Sequence, residues 1–141
     1  MKIESRIGKS SCEEKDIYLF VSDFNNFKKL IPSDRVRNWE SSSDRCSFEI
    51  QPLGRTGLRI VEKEPFKLVK MTSDPDYSKY NLTLWVQIRA AGPGDTRIRL
   101  TAEPHINQMM LSMIKGTVKI FLDRIVDKIE EIDFSQRSKT M

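Results

Sequence analysis

The sequence predicts an α+β fold in which an antiparallel sheet wraps around one long C-terminal helix. Two observations carry this. From His105 to Ile132, the residues Ile106, Met109, Met110, Met113, Ile114, Thr117, Phe121, Ile125, Ile129 and Ile132 recur at helical spacing. Before them come about six short segments of period two, bounded by turn residues, with no comparably long helix among them. A sheet closed by a single helix can leave a hollow between the two.

The elements follow in order. Lys2 to Lys9 alternates, with Ile3, Ser5 and Ile7 on one face, and Gly8 ends the strand. Ser10-Ser11-Cys12-Glu13-Glu14 is an N-cap signal, since hydroxyls and early carboxylates meet the free N–H groups of a helix start. Ile17, Phe20, Val21 and Phe24 continue the helix. Phe27, Leu30 and Ile31 extend an apolar face through a second short helix, with the break at Asp23-Phe24-Asn25-Asn26. Pro32-Ser33-Asp34 ends the pair.

The period then drops to two. Arg35 to Ser41 carries Val36 and Trp39; Arg45 to Ile50 places Cys46, Phe48 and Ile50 on one face; Arg55 to Glu62 turns Leu58 and Ile60 inward. Phe66 to Thr72 follows, with Val69 and Met71 inward. Asn81 to Arg89 sets Leu82, Leu84, Val86 and Ile88 against Thr83, Trp85, Gln87 and Arg89. After the Ala91-Gly92-Pro93-Gly94-Asp95 loop, Thr96 to Glu103 sets Ile98, Leu100 and Ala102 against Arg97, Arg99 and Thr101. Each strand thus has one wet face, as consecutive antiparallel strands do. Asn107 is placed to cap the final helix, which at 1.5 Å per residue would span about 40 Å. Gly116 lies inside it, either for close packing, for a bend, or to make room for a ligand.

The chain has 141 residues, 38% of them hydrophobic and 31% charged, which fits one domain. We place it at 1–134, with a flexible basic tail at 135–141. The net charge is +4, but the basic residues are interleaved with acids, which argues against a nucleic-acid binder. The N-terminal Met1-Lys-Ile-Glu-Ser-Arg-Ile lacks the apolar core of a signal peptide. No stretch reaches the roughly 18 apolar residues of a membrane span. Cys12 and Cys46 have neither disulfide-framework nor metal-ligand spacing. They read as reduced thiols of a cytoplasmic protein.

Catalytic chemistry is thin. A single histidine, His105, excludes a two-histidine metal site and stands at a strand-to-helix corner, where a solvated or capping role competes with a general acid–base role. No phosphate-binding glycine loop, nucleophile elbow or carboxylate pair is present. No metal and no cofactor are expected.

The order of strand, two short helices, six antiparallel strands and long helix resembles the helix-grip fold of the START-like superfamily, also called SRPBCC or the Bet v 1-like and polyketide cyclase-like group. The stretches Ile17-Tyr-Leu-Phe-Val-Ser-Asp-Phe-Asn-Asn-Phe and Asp95-Thr-Arg-Ile-Arg-Leu-Thr-Ala-Glu look like that group's first-helix and final-strand segments. A tryptophan common at the end of its second short helix is replaced here by Phe27 or Leu30. The resemblance covers nearly the whole chain and implies a curved seven-stranded sheet around the C-terminal helix, enclosing an apolar cavity. The group includes lipid and steroid carriers, hormone receptors, aromatic cyclases, a cochaperone and quinone-binding proteins.

Met109, Met110 and Met113, followed by Phe121, suit an accommodating apolar wall, because thioether side chains adapt to irregular shapes. Core filling is their ordinary alternative. Across from them, Trp39, Phe48, Leu58, Ile60, Leu84, Val86, Ile98 and Leu100 complete the expected lining. The resulting reading is non-enzymatic binding of an apolar or aromatic small molecule, whether lipid, quinone or polyketide-like. One alternative is a polyketide cyclase- or dehydrase-like enzyme using His105 or a tyrosine. Another is an interaction module, in which Trp85 on the basic outer sheet face meets an acidic partner or a second copy.

Overall fold

The computed structural model describes residues 1–51, 53–78 and 80–132. The elements are β1 (Ile3–Glu4), β2 (Gly8–Ser10), α1 (Glu14–Val21), α2 (Phe24–Phe27), a 3-10 turn (Lys28–Leu30), β3 (Val36–Ser41), β4 (Arg45–Ile50), β5 (Gly54–Glu64), β6 (Leu68–Ser73), β7 (Asn81–Gly92), β8 (Asp95–His105) and α3 (Gln108–Glu131). One antiparallel sheet runs β1-β8-β7-β6-β5-β4-β3, with β2 also paired to β8. The helix-grip α+β architecture is therefore present. The basic tail expected at 135–141 lies outside the described residues.

The expected first strand is split in two. Ser5 donates its backbone N–H to the Leu100 carbonyl at 2.8 Å, and its hydroxyl accepts the Leu100 N–H at 2.9 Å. A side chain thus occupies a ladder position, and the alternation slips by one residue beyond it. Ile3 and Ser5 are buried as expected, but Ile7 turns outward, 59% exposed. Gly8 opens β2 rather than ending a strand, and faces α3 so closely that a Cβ there would overlap Val126 Cγ1.

This outer edge is covered by the acidic side of α3. Asp123 accepts the Arg6 backbone N–H at 2.7 Å and Glu130 accepts that of Lys9 at 2.8 Å. Free N–H groups on a sheet edge invite pairing with another chain, and these carboxylates satisfy them.

Two further expectations are revised. α1 begins with Glu13 in the cap position and no side-chain cap bond; the Ser10 hydroxyl instead accepts the Cys12 N–H at 3.1 Å. Phe66 sits in a turn at φ +69°, not in β6, with its ring edge-on to Tyr18 at 5.7 Å. In β3, Val36 and Trp39 are three residues apart, which regular alternation would place on opposite faces. An irregularity between Arg37 and Glu40, with Asn38 at φ +55°, returns Trp39 to the core side.

α3 is a single continuous helix. Asn107 Oδ1 accepts the Met110 N–H at 2.9 Å, as the sequence predicts. Leu111, Ile114, Leu122, Ile125, Val126 and Ile129 are its buried residues. Gly116 is on the exposed side, where a Cβ would meet nothing within 4 Å, so close packing is not its reason.

Candidate ligand-binding site

The concave face of the sheet is apolar because every second residue of β4 to β8 points there. Phe48, Leu58, Val69, Met71, Leu84, Val86, Ile98 and Leu100 are buried on it, and α3 brings Leu111, Leu122 and Ile125 against the same core, while Ile114 is buried at the crevice beside it. Of the residues expected to line a cavity, Phe48, Leu58, Leu84, Val86, Ile98 and Leu100 thus belong to one buried cluster. Trp39, Ile60 and Phe121 are partly buried against it.

The methionines do not join them. Met109 is 76% and Met113 70% exposed, and Met110 is only half-buried. At 100° per residue, Met109, Met113, Gly116 and Ile120 share one face of α3, opposite the Leu111, Ile114, Val118, Leu122 stripe. The helix thus carries two apolar stripes, and only the second faces the sheet.

The enclosed space is small. One crevice, about 30 Å³ in volume, opens at the N-terminal end of α3 between Leu53, Thr56, Leu82, Pro104, Ile106 and Ile114. A second, of about 10 Å³, lies between Arg35, Ile50, Thr117 and Phe121. They flank the stretch of α3 from Ile114 to Leu122, where Val118 and Phe121 are only partly buried. Sites for small molecules are roughly 300 to 1,000 Å³. Neither crevice approaches that size.

An aromatic chain runs from β4 through β3 to α2. Trp39 stacks on Phe48 with ring centroids 5.4 Å apart and planes inclined by 15°, and Phe24 lies 6.5 Å from Trp39 and 6.0 Å from Phe27. Trp39 Nε1 is buried without a hydrogen-bond partner. Leaving such a donor unmet costs roughly 1–3 kcal/mol.

No protein-family model matches this sequence, and no curated protein resembles it significantly in sequence. Solved structures do share its shape. A norcoclaurine synthase point mutant from Thalictrum flavum, solved with a transition-state analogue, superposes with a TM-score of 0.74 at 12% identity, over 98% of this chain and 96% of that one. A START superfamily protein from Mycobacterium smegmatis gives 0.67 at 9% identity over 99% of both chains. An Aha1 dimer from Colwellia psychrerythraea gives 0.62 at 14% identity, over 93% and 97%.

The chain has the START-like helix-grip fold.

Within that fold, Arg55 and Tyr80 border the larger crevice and Arg35 and Arg124 the smaller one. Burial pushes the Cys46 thiol up to about 12, so it is a neutral, inert side chain. His105 ends β8 with Thr83 Oγ1 at 3.4 Å from Nε2 and Glu103 at 3.9 Å, on the sheet face opposite the core. Among the described residues, no group of three His, Cys, Asp or Glu side chains gathers to hold a metal. Nor is any described helix long and apolar enough to cross a membrane.

The mouth residues Leu53, Thr56, Pro104 and Ile106 and the helix residues Leu111 and Ile114 escaped the sequence reading as site residues. For the helix a signal was available. Continued toward the C-terminus, the methionine stripe runs into Asp123 and Asp127, whereas the Leu111 stripe runs into Ile125 and Ile129. The loop residues carry no comparable periodicity.

Proposed function

We propose that this helix-grip protein binds an apolar or aromatic small molecule, without transforming it, between the concave sheet face and α3. The observation that carries this reading is the pair of crevices flanking Ile114–Phe121, which leave the middle of α3 loosely seated over an otherwise apolar face. The present volume admits no ligand, so binding requires the first half of α3 or the loop at Leu53 to move outward. Burial of ligand surface, at about 25 cal/mol per Å², supplies the driving force. The proposed lining is Trp39, Phe48, Leu58, Leu84, Ile114 and Phe121.

The unmet Trp39 N–H sharpens the ligand class. A ligand with one acceptor oxygen, such as a quinone, a polyketide-like ketone or a lipid carbonyl, would meet a donor that the protein leaves unpaired. Two buried cysteines that form no disulfide fit work in the reducing cytoplasm. A cyclase-like activity finds no support in His105, whose contacts lie on the other side of the sheet.

The test is fluorescence quenching by a short-chain benzoquinone in a Trp85→Phe variant, where Trp39 is the sole tryptophan, alongside native mass spectrometry of freshly purified protein. Saturable quenching that Ile114→Phe, which fills the space without adding a second tryptophan, abolishes is expected. Absence of quenching, of any bound mass and of thermal stabilisation by quinone, fatty acid or polyketide-like ketone would overturn the reading.

A further inference from the structure

The outer sheet face carries a groove that the cavity reading does not use. Arg89, Arg97 and Lys9 stand directly opposite one another on β7, β8 and β2, with Arg99 two residues along β8. Three cations in one row across three strands oppose folding, because like charges facing each other across strands repel. At the strand spacing of roughly 4.8 Å the row spans about 10 Å.

Its charges are only partly matched. Arg97 is held by Asp95 at 2.7 and 3.1 Å, and Arg99 by Glu4 at 3.1 Å and Gln87 at 3.1 Å. Among the described residues, neither the Arg89 guanidinium nor the Lys9 ammonium has a carboxylate within 4 Å, and Lys9 acts on Asp95 only from farther off. The three arginines and Gln87 line a groove of about 210 Å³ together with Ile7, the residue that the slip in the first strand turns out of the core. An isoleucine exposed among arginines buries nothing of the protein's own. Repelling cations and a misplaced apolar side chain thus converge on one place.

We infer that this groove docks an acidic, partly apolar peptide segment of a partner protein, with carboxylates over Arg89, Arg97 and Lys9 and one apolar side chain on Ile7. The surface favours peptide over nucleic acid. The row contains no aromatic platform for bases. The ring of Trp85, four residues back along β7, is already approached by Lys2 at 5.0 Å and Lys70 at 5.9 Å.

Fluorescence anisotropy tests this with a labelled peptide of alternating glutamate and leucine, a polyglutamate peptide of equal charge, a thymidine oligonucleotide of equal charge, and vesicles of anionic phospholipid. The glutamate–leucine peptide should bind most tightly and weaken as salt rises. Arg89→Glu with Lys9→Glu should weaken it by about tenfold without lowering the melting temperature, since it relieves the repulsion on Arg97, and Ile7→Ser by about threefold with the melting temperature unchanged. Lys28→Glu with Lys29→Glu alters the net charge equally on the far 3-10 turn and should have little effect. Equal weakening by that control would reduce the binding to unspecific charge and overturn the proposal. So would tighter binding of the oligonucleotide or vesicle, insensitivity to Ile7→Ser, or no peptide binding at low salt.

Discussion

Glu130 holds two parts of the first-strand break at once: its Oε1 takes the Arg6 guanidinium at 2.6 Å, and its Oε2 takes the Lys9 backbone N–H at 2.8 Å. Asp127 bonds the same guanidinium. The Arg6 hydrogen bond, then the Lys9 N–H, hold the Glu130 carboxyl below its ordinary value of 4.5. A depressed carboxylate stabilises the fold above its unfolded-state value, and that contribution is lost as pH falls through the folded value. Glu130→Ala should therefore cost about 1–2 kcal/mol near neutral pH, the loss of a partly exposed ion pair and an unmet edge N–H. In melts from pH 7 down to about pH 3, the gap between wild type and variant should close with acid. A gap that is constant over this range would mean the carboxylate is not the stabilising group.

Two glycines should respond oppositely to alanine. A Cβ at Gly8 would press on Val126 Cγ1 across the β2–α3 contact, both of whose sides are buried. Overpacking of that kind costs about 1–3 kcal/mol, and Val126→Ala should recover part of it in the double variant. At Gly116 a Cβ meets open space on the exposed side of a helix. Gly116→Ala should add about 1 kcal/mol, or roughly 4 °C in Tm, since alanine restricts the unfolded chain and favours helix. Differential scanning calorimetry separates the two, and destabilisation by Gly116→Ala would show that the helix bends there in solution.

The strand faces of β4 to β8 were legible because burial on one side imposes alternation, and Val69 with Met71, or Ile98 with Leu100, follow it without exception. The same rule misplaced Ile7. Nothing in Ser5-Arg6-Ile7-Gly8 announces that a serine hydroxyl will stand in the ladder; the slip depends on Leu100 and Asp123, more than 90 residues away. α3 presents a different difficulty. Its two apolar stripes are nearly equal over the first three turns, so local periodicity does not choose between Met113 and Ile114. The choice is made only beyond Leu122, where one stripe becomes acidic. The mouth at Leu53 and Ile106 is formed by loops meeting in space and has no periodic signature.

Cys46 should be chemically silent in the native state. Desolvation pushes its thiol up to about 12, leaving roughly one thiolate in ten thousand at pH 8. In Cys12→Ser protein, which isolates Cys46, reaction with a disulfide reagent should run at least about 100-fold slower than in denaturant, limited by opening of the sheet. A fast native reaction would show that the concave face near β4 is accessible to small solutes at rest. That result would move the proposed entrance from α3 to the β3–β4 side.

Adjacent residues on α3 should behave as opposites. Met113 is 70% exposed, while Ile114 is buried and borders the larger crevice. Met113→Ser should change stability by less than about 0.5 kcal/mol, as substitutions away from packed contacts do. It should also leave quinone quenching of Trp39 unaltered. Ile114→Ala should cost about 2–4 kcal/mol, because the space it vacates is closed on most sides. If the helix seats loosely enough to admit a ligand, part of that cost is recovered when ligand fills the space. Ile114→Ala should then show a larger rise in Tm with benzoquinone than wild type does. Equal rises in the two proteins would place the bound ligand away from Ile114, and a Met113→Ser effect on quenching would place it on the outer stripe.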